Sequence, residues 1–216
     1  MMEQTTLEAI YRERRNRKRL KQIAVFFMAC ASDQVYAQEA KAKRPAKWAQ
    51  PVSMPGLPNL HKVSDALYRG AQPEPEGFVN LKAMGIKTVV NLRSMHSDDD
   101  EIEAAGMTGK LDYVHIKINT FRPKEDHVVP FLRVMADPKR HPVFVHCKHG
   151  ADRTGTMAAF YRIVFEGWSK QEALEEMTKG GYGFHSIWKN LLELIRKSDI
   201  EKLKKDAGIK KPATGG

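Results

Sequence analysis

From about residue 60 onward, short β-branched or alternating runs take turns with longer stretches whose apolar residues fall three and four apart. Val63–Tyr68 reads as one or two short strands that stop at a Gly70 turn. Residues 76–85 carry Phe78, Val79, Leu81 and Met84 at helical spacing, with Gly85 as the stop. Ile86–Leu92 is a β-branched run, the mark of a buried strand. Residues 94–110 are acidic and polar, which predicts a loop with a short helix. Tyr113–Asn119 alternates like a strand, and Glu125–Asp137 reads as a helix with Pro130 near its first turn. His141–Cys147 is the next strand, and Arg153–Gly167 has helical periodicity that ends at its glycine. Ser169 is an N-cap residue for a helix that ends at Gly180 and Gly181, and Phe184–Lys197 is a last amphipathic helix. Strands alternate with helices in the first half, and helices follow in the second. This order predicts an α/β fold: a central, mostly parallel sheet of four to five strands flanked by helices. No internal repeat is present.

The ends of the chain read differently. Residues 1–22 hold seven Lys/Arg against three Glu, and the ten residues from Ile23 to Ser32 are uncharged and mostly apolar. Val35 and Ala37 then fit the small-residue rule for cleavage after Ala37. Residues 1–37 are therefore expected to be a signal peptide for export, in a bacterium to the periplasm. An uncleaved membrane anchor is the alternative, although the apolar run is short for a membrane span of roughly 20 residues. Lipid attachment at Cys30 is disfavoured, because Phe27 and Met28 occupy positions that prefer small or branched residues. Residues 38–59, rich in Ala, Lys and Pro, are expected to be a linker or extended arm. Residues 60–198 form the expected domain, and residues 199–216 a basic flexible tail.

Charge and cysteine usage narrow the chemistry. The chain of 216 residues has a formal net charge of +10, most of which stays on the part expected to survive export. That balance favours anionic ligands. The basic ends lack aromatic–basic interleaving, which argues against a nucleic-acid partner. The sequence carries two cysteines, Cys30 and Cys147. After cleavage Cys147 stands alone, and no intramolecular disulfide is possible.

Cys147 lies where the strand gives way to the helix that starts at Arg153. A loop entering a helix N-terminus turns several backbone N–H groups inward, and the helix dipole adds positive charge. Such a nest holds phosphate or sulfate without a metal. Gly150 gives the loop the backbone freedom a tight cradle needs. Lys148, His149, Gly150, Ala151, Asp152 and Arg153 are the candidate substrate-binding residues, with Arg153 able to fork onto two oxygens. A positive field of this kind favours thiolate over thiol, which makes Cys147 a candidate nucleophile. Thr154 is placed to give its hydroxyl to the sulfur as that sulfur becomes a leaving group.

The run from His146 and Cys147 to Arg153 and Thr154, with its central Gly150, resembles the signature of the cysteine-dependent phosphatases. With "LYRGAQP" and "IKTVVNLR" it resembles dual-specificity phosphatase domains of the bacterial and plant–fungal atypical kind, over roughly residues 60–198. The resemblance implies phosphomonoester hydrolysis through a phosphocysteine, with no cofactor and no metal. A metal site made of His146 and His149 is disfavoured on the same grounds, since a loop with Arg153 suits an anion. His146 has two readings, a hydrogen-bonding prop for the loop or a proton carrier.

The general acid departs from the family pattern, which places an Asp about 30 residues before the cysteine; here that window holds no acid. Three candidates stand: Asp126 and Glu125, where a loop after the strand meets the helix that holds Pro130, and Asp152 inside the loop, where lipid phosphatases of the myotubularin type look similar. Asp152 has a structural reading too, as a partner of Lys148 or Arg153. Tyr182 is a candidate pocket wall for an aromatic phosphoester, or else a core residue beside capping glycines. The expected substrate is a phosphorylated protein, chiefly at tyrosine. The alternative is an inositol phosphate, phosphoinositide or other small phosphomonoester. A non-catalytic phosphate-binding module would not need both Cys147 and Arg153, and a sulfurtransferase or arsenate reductase does not fit the five-residue spacing between them. The sequence is silent on oligomeric state.

Overall fold

A computed structural model describes residues 44–210, so the expected signal peptide, the first part of the expected linker and residues 211–216 lie outside the described residues. The sheet follows from the β-branched runs. Its strands are β1 (Gln50–Pro51), β2 (His61–Lys62), β3 (Leu67–Gly70), β4 (Thr88–Arg93), β5 (Asp112–Ile118) and β6 (Val143–His146), in the spatial order β1-β2-β3-β6-β4-β5. The four strands from β3 to β5 pair in parallel, and the two-residue β1 and β2 extend the edge in antiparallel register. The sheet is thus mostly parallel, as expected, with six strands because β1 falls in the expected arm and the two-residue β2 is too short to show a pattern.

The helices are α1 (Pro75–Ala83), α2 (Asp99–Ala104), α3 (Glu125–Ala136), α4 (Asp152–Phe165), α5 (Lys170–Lys179), α6 (Lys189–Lys197) and α7 (Ile200–Asp206). Alternating strand residues face opposite sides of the sheet. Val89 and Phe144 join Phe78 and Leu81 of α1 and Ile102 of α2 in one core. Val90, Leu92, Val143 and Val145 join the other, with residues of α3 to α7. Helix α4 is buried along most of its length, which Gly155, Thr156, Ala158 and Ala159 permit by keeping that surface small. Ser169 caps α5 as expected: its hydroxyl accepts from the Glu172 N–H at 3.2 Å, and Glu172 accepts from the Ser169 N–H at 3.0 Å.

Two domain boundaries move. Residues 46–59 are not an arm but part of the domain, since Ala49 and Leu57 are buried and β1 pairs with β2. Residues 200–207 are not a tail. Leu203 and Ala207 are buried, and Arg133 donates to the Asp206 carbonyl at 2.8 Å. Prolines break up residues 46–59 and charges dominate residues 200–207, so the few apolar residues that anchor them do not form a visible period. Among the described residues no helix is long and apolar enough to cross a membrane.

A buried ion network joins the N-terminal segment to the helices. Arg162 donates to Glu176 through Nε at 2.8 Å and Nη2 at 2.9 Å, and Glu176 also accepts from the Ala49 N–H and the Tyr182 hydroxyl. Burial pushes the Glu176 carboxyl up, but the Arg162 guanidinium outweighs it and holds the carboxyl below its ordinary value. A carboxyl depressed on folding stabilises above its unfolded pKa, and that stability disappears as pH falls through the folded value. Glu176→Ala should leave Arg162 buried without its main partner and cost about 3 to 5 kcal/mol. Urea unfolding at neutral pH checks the cost, and the deficit of the variant should narrow in acid.

Candidate active site

Strand β6 ends at His146, so Cys147 follows at the carboxyl edge of the parallel sheet, between β3 and β4. The thiol is free and nearly buried. The chain then curls from Lys148 to Ala151 and enters α4 at Asp152.

What shapes this curl is the fate of its carbonyls. The Lys148 carbonyl accepts from the Gln72 N–H at 3.3 Å, and the His149 carbonyl from Asn59 Nδ2 at 2.9 Å. Arg69 Nη2 donates to the Gly150 carbonyl at 2.8 Å and to the Ala151 carbonyl at 3.4 Å. All four carbonyls are therefore tied outward. The backbone N–H groups of residues 148–153 donate to no acceptor among the described residues. That leaves a ring of donors at a helix N-terminus, the arrangement that binds oxyanions. Gly150 is required twice over. Its φ is +70°, and a Cβ there would lie 2.5 Å from the Gly70 carbonyl carbon and 2.6 Å from the Ala71 nitrogen.

Arg153 leaves the first turn of α4 and donates through Nη1 to the Leu92 carbonyl at 3.3 Å. Thr154 is buried, and its hydroxyl has no hydrogen-bond partner among the described residues. His146 does not prop the loop backbone. Its Nε2 lies 2.7 Å from Asp98 Oδ2, and both side chains are fully buried. Asp98 Oδ1 accepts from Gln72 Nε2 at 2.8 Å and Asn91 Nδ2 at 3.0 Å, while the Asp98 N–H donates to the Tyr113 hydroxyl at 2.9 Å. Asp98 was missed from sequence, because it opens an acidic run that reads as solvated loop.

The structure separates the three acid candidates. Asp152 is buried, and both its oxygens are used: Oδ1 accepts from the His185 N–H and Oδ2 lies against His185 Nδ1, each at 2.9 Å. Its partner is thus neither Lys148 nor Arg153. Glu125 faces Lys202 at 3.6 Å. Asp126 is exposed on the first turn of α3 and makes no hydrogen bond or ion pair with the described residues. That turn adjoins Arg153, since Pro123, Lys124 and His127 line a narrow crevice with Arg153, Met157 and Leu191.

Tyr182 is not a pocket wall. It is buried, its ring lies 3.7 Å from the Arg69 guanidinium, and its hydroxyl donates to Glu176 at 3.1 Å. The exposed aromatic near the crevice is Phe121, which meets Trp188 edge-on at 5.0 Å. Lys148 and His149 are exposed on the loop. Burial, then the charges of His185 and Lys148, hold His149 below its ordinary pKa. Among the described residues, two side-chain groups have the composition of metal ligands: His149, Asp152 and His185, and His96, Asp98 and Glu101.

Residues 51–192 match a family model described as a DSP-PTPase phosphatase fused to NAD+ kinase. Dual specificity protein phosphatase TpbA of Pseudomonas aeruginosa is 37% identical over 171 residues, 79% of this chain and 75% of that protein. Inositol diphosphatase DSP5 of Arabidopsis thaliana is 33% identical over 132 residues, 56% of this chain and 61% of that one. The crystal structure of P. aeruginosa TpbA aligns with a TM-score of 0.65 at 34% identity, covering 77% of this chain and 99% of that one; a TpbA complex with phosphotyrosine aligns equally well.

Gly150→Ala places a methyl against the Gly70–Ala71 backbone at a strained φ. It should lower kcat/KM for phosphate-ester hydrolysis at least about tenfold, because small displacements of a positioning loop are costly. A steady-state comparison with the wild-type chain, after circular dichroism confirms the fold, measures the effect.

Proposed function

Because the chain belongs to the DSP-PTPase phosphatase family, we propose that it dephosphorylates protein phosphotyrosine through a phosphocysteine formed on Cys147. The observation that carries this reading is the loop from Cys147 to Arg153, where Gln72, Asn59 and Arg69 take the carbonyls of residues 148–151 and the amides of residues 148–153 donate to no acceptor among the described residues.

In the first step the Cys147 sulfur, as thiolate, attacks phosphorus. The S–P bond forms as the bond to the ester oxygen breaks. Arg153 forks onto two phosphoryl oxygens, and the loop amides bind the charge that spreads over them. The departing oxygen takes its proton from Asp126, since Asp152 is engaged by His185 and Glu125 faces Lys202. In the second step water attacks phosphorus, its proton passes to the Asp126 carboxylate, and the S–P bond breaks. The unpartnered Thr154 hydroxyl donates to the sulfur as it leaves. The steps together consume one phosphate ester and one water, yield the free phenol or alcohol and inorganic phosphate, and regenerate the thiolate and the acid.

Phe121 and Trp188 support an aromatic ester, because they sit on the two segments that meet beside Arg153. A second reading, an inositol phosphate or other small phosphomonoester, is favoured by the exposed Lys148 and His149 on the loop rim. The Arabidopsis relative named above is called an inositol diphosphatase. The reading also includes export. Residues 1–37 serve as a cleaved signal peptide, and the mature chain works in the periplasm with Cys147 as its one thiol.

A panel of phosphotyrosine, phosphoserine and phosphothreonine peptides and inositol phosphates tests the substrate. Tyrosine peptides should show the highest kcat/KM, with activity kept in EDTA. Cys147→Ser should abolish turnover, and Arg153→Ala should cost about a hundredfold to a thousandfold in kcat. Hydrolysis by Cys147→Ser would sink the mechanism. Asp126→Asn should cost about a hundredfold with a peptide ester but little with an aryl ester whose phenol is acidic. Equal losses on both esters would remove Asp126 as the acid.

A further inference from the structure

Outside the anion cradle, His96, Asp98 and Glu101 form one cluster of metal-ligand composition. There Asp98 already takes hydrogen bonds from Gln72, Asn91 and His146, so its lone pairs are in use. The other cluster is drawn from three places: His149 from the loop, Asp152 from the start of α4, and His185 from the segment after α5. One potential ligand atom of each lies within 4.8 Å of the other two. Asp152 Oδ2 and His185 Nδ1 are already 2.9 Å apart, and the rings of His149 and His185 are 5.3 Å apart. Donors at zinc–ligand distances of about 2.0 to 2.2 Å in a tetrahedron stand roughly 3.3 to 3.6 Å from one another, so small side-chain rotations close the set.

We propose that His149, Asp152 and His185 form a binding site for a zinc-class divalent cation at the rim of the phosphate loop, with the remaining coordination position open. Two imidazoles and one carboxylate suit zinc, copper or nickel, whereas magnesium and calcium take oxygen donors. The carboxylate is fixed, because Asp152 is buried and its Oδ1 holds the His185 N–H. The rings are accessible, with the His185 side chain 49% exposed and His149 exposed beside it. Lys148 and Arg153 oppose a cation in this neighbourhood, and Asp152 offsets one of those two charges. The bound ion ties the phosphate loop to residues 180–188 and uses no thiolate.

The chain carrying Cys147→Ser removes the thiol as a competing ligand and allows direct titration with Zn2+ and Co2+. Calorimetry should show one cation per chain, and the Co2+ absorption should report nitrogen and oxygen ligation. On that background His185→Ala should bind at least about tenfold more weakly, and His96→Ala should bind unchanged. His149→Gln, at an exposed ring, should also weaken binding and decides the matter should His185→Ala disturb Asp152. No saturable binding, full affinity in both rim variants, or loss on His96→Ala overturns the site. These readouts do not depend on hydrolysis, so they stand or fall apart from the phosphatase reading.

Discussion

One buried guanidinium holds two of the four outward carbonyls of the loop after Cys147. Arg69 is 1% exposed and spends Nη2 on the carbonyls of Gly150 and Ala151. A carbonyl turned inward at either residue would put a lone pair where an anion has to sit. Burying a charge is costly unless its surroundings compensate. Here the Tyr182 ring covers the guanidinium at 3.7 Å, and Tyr182 is itself anchored on Glu176, which pairs with Arg162. The Ala49 N–H on the same carboxylate brings in the N-terminal segment. Loop geometry is thus a property of β3, α4, α5 and residues 46–59 packed together.

Two carboxylates hold the loop's neighbours in a similar way. Asp98 takes His146 from behind the strand end, and Asp152 takes His185 at the rim. Both acids are buried, and each has a hydrogen-bond partner on both of its oxygens. Asp152 therefore changes meaning. As a letter between Ala151 and Arg153 it competes for the role of acid, whereas in three dimensions it is the post on which a distant histidine is mounted. Asp126, with no such partner, keeps a carboxyl available on the turn beside Arg153.

Much of the fold was legible because the local signals agree. The β-branched run at β4, the alternation at β5, Ser169 with Glu172 at the start of α5, and the glycine stops after α1 and α4 each point to what formed. The segments that were misread lack a local signal. Ala49, Leu57, Leu203 and Ala207 are isolated apolar residues among prolines and lysines, and they count only because the domain has a groove to receive them. Tyr182 was ambiguous for the same reason: its spacing fits a pocket wall as well as a core, and only the position of Arg69 beneath its ring decides between them.

The strand–loop–helix with its cysteine, glycine and arginine is written in the local sequence, because those requirements act within a few residues of one another. Backbone freedom at Gly150, the helix start after Ala151 and the five-residue reach from Cys147 to Arg153 are local matters. Which groups turn the loop carbonyls outward, and which acidic side chains find partners, depends on packing between distant segments. Those partners, Asn59, Arg69, Gln72, Asp98 and His185, lie tens of residues away along the chain. Hydrogen bonds and burial depend on distance in space, and folding alone brings such residues together.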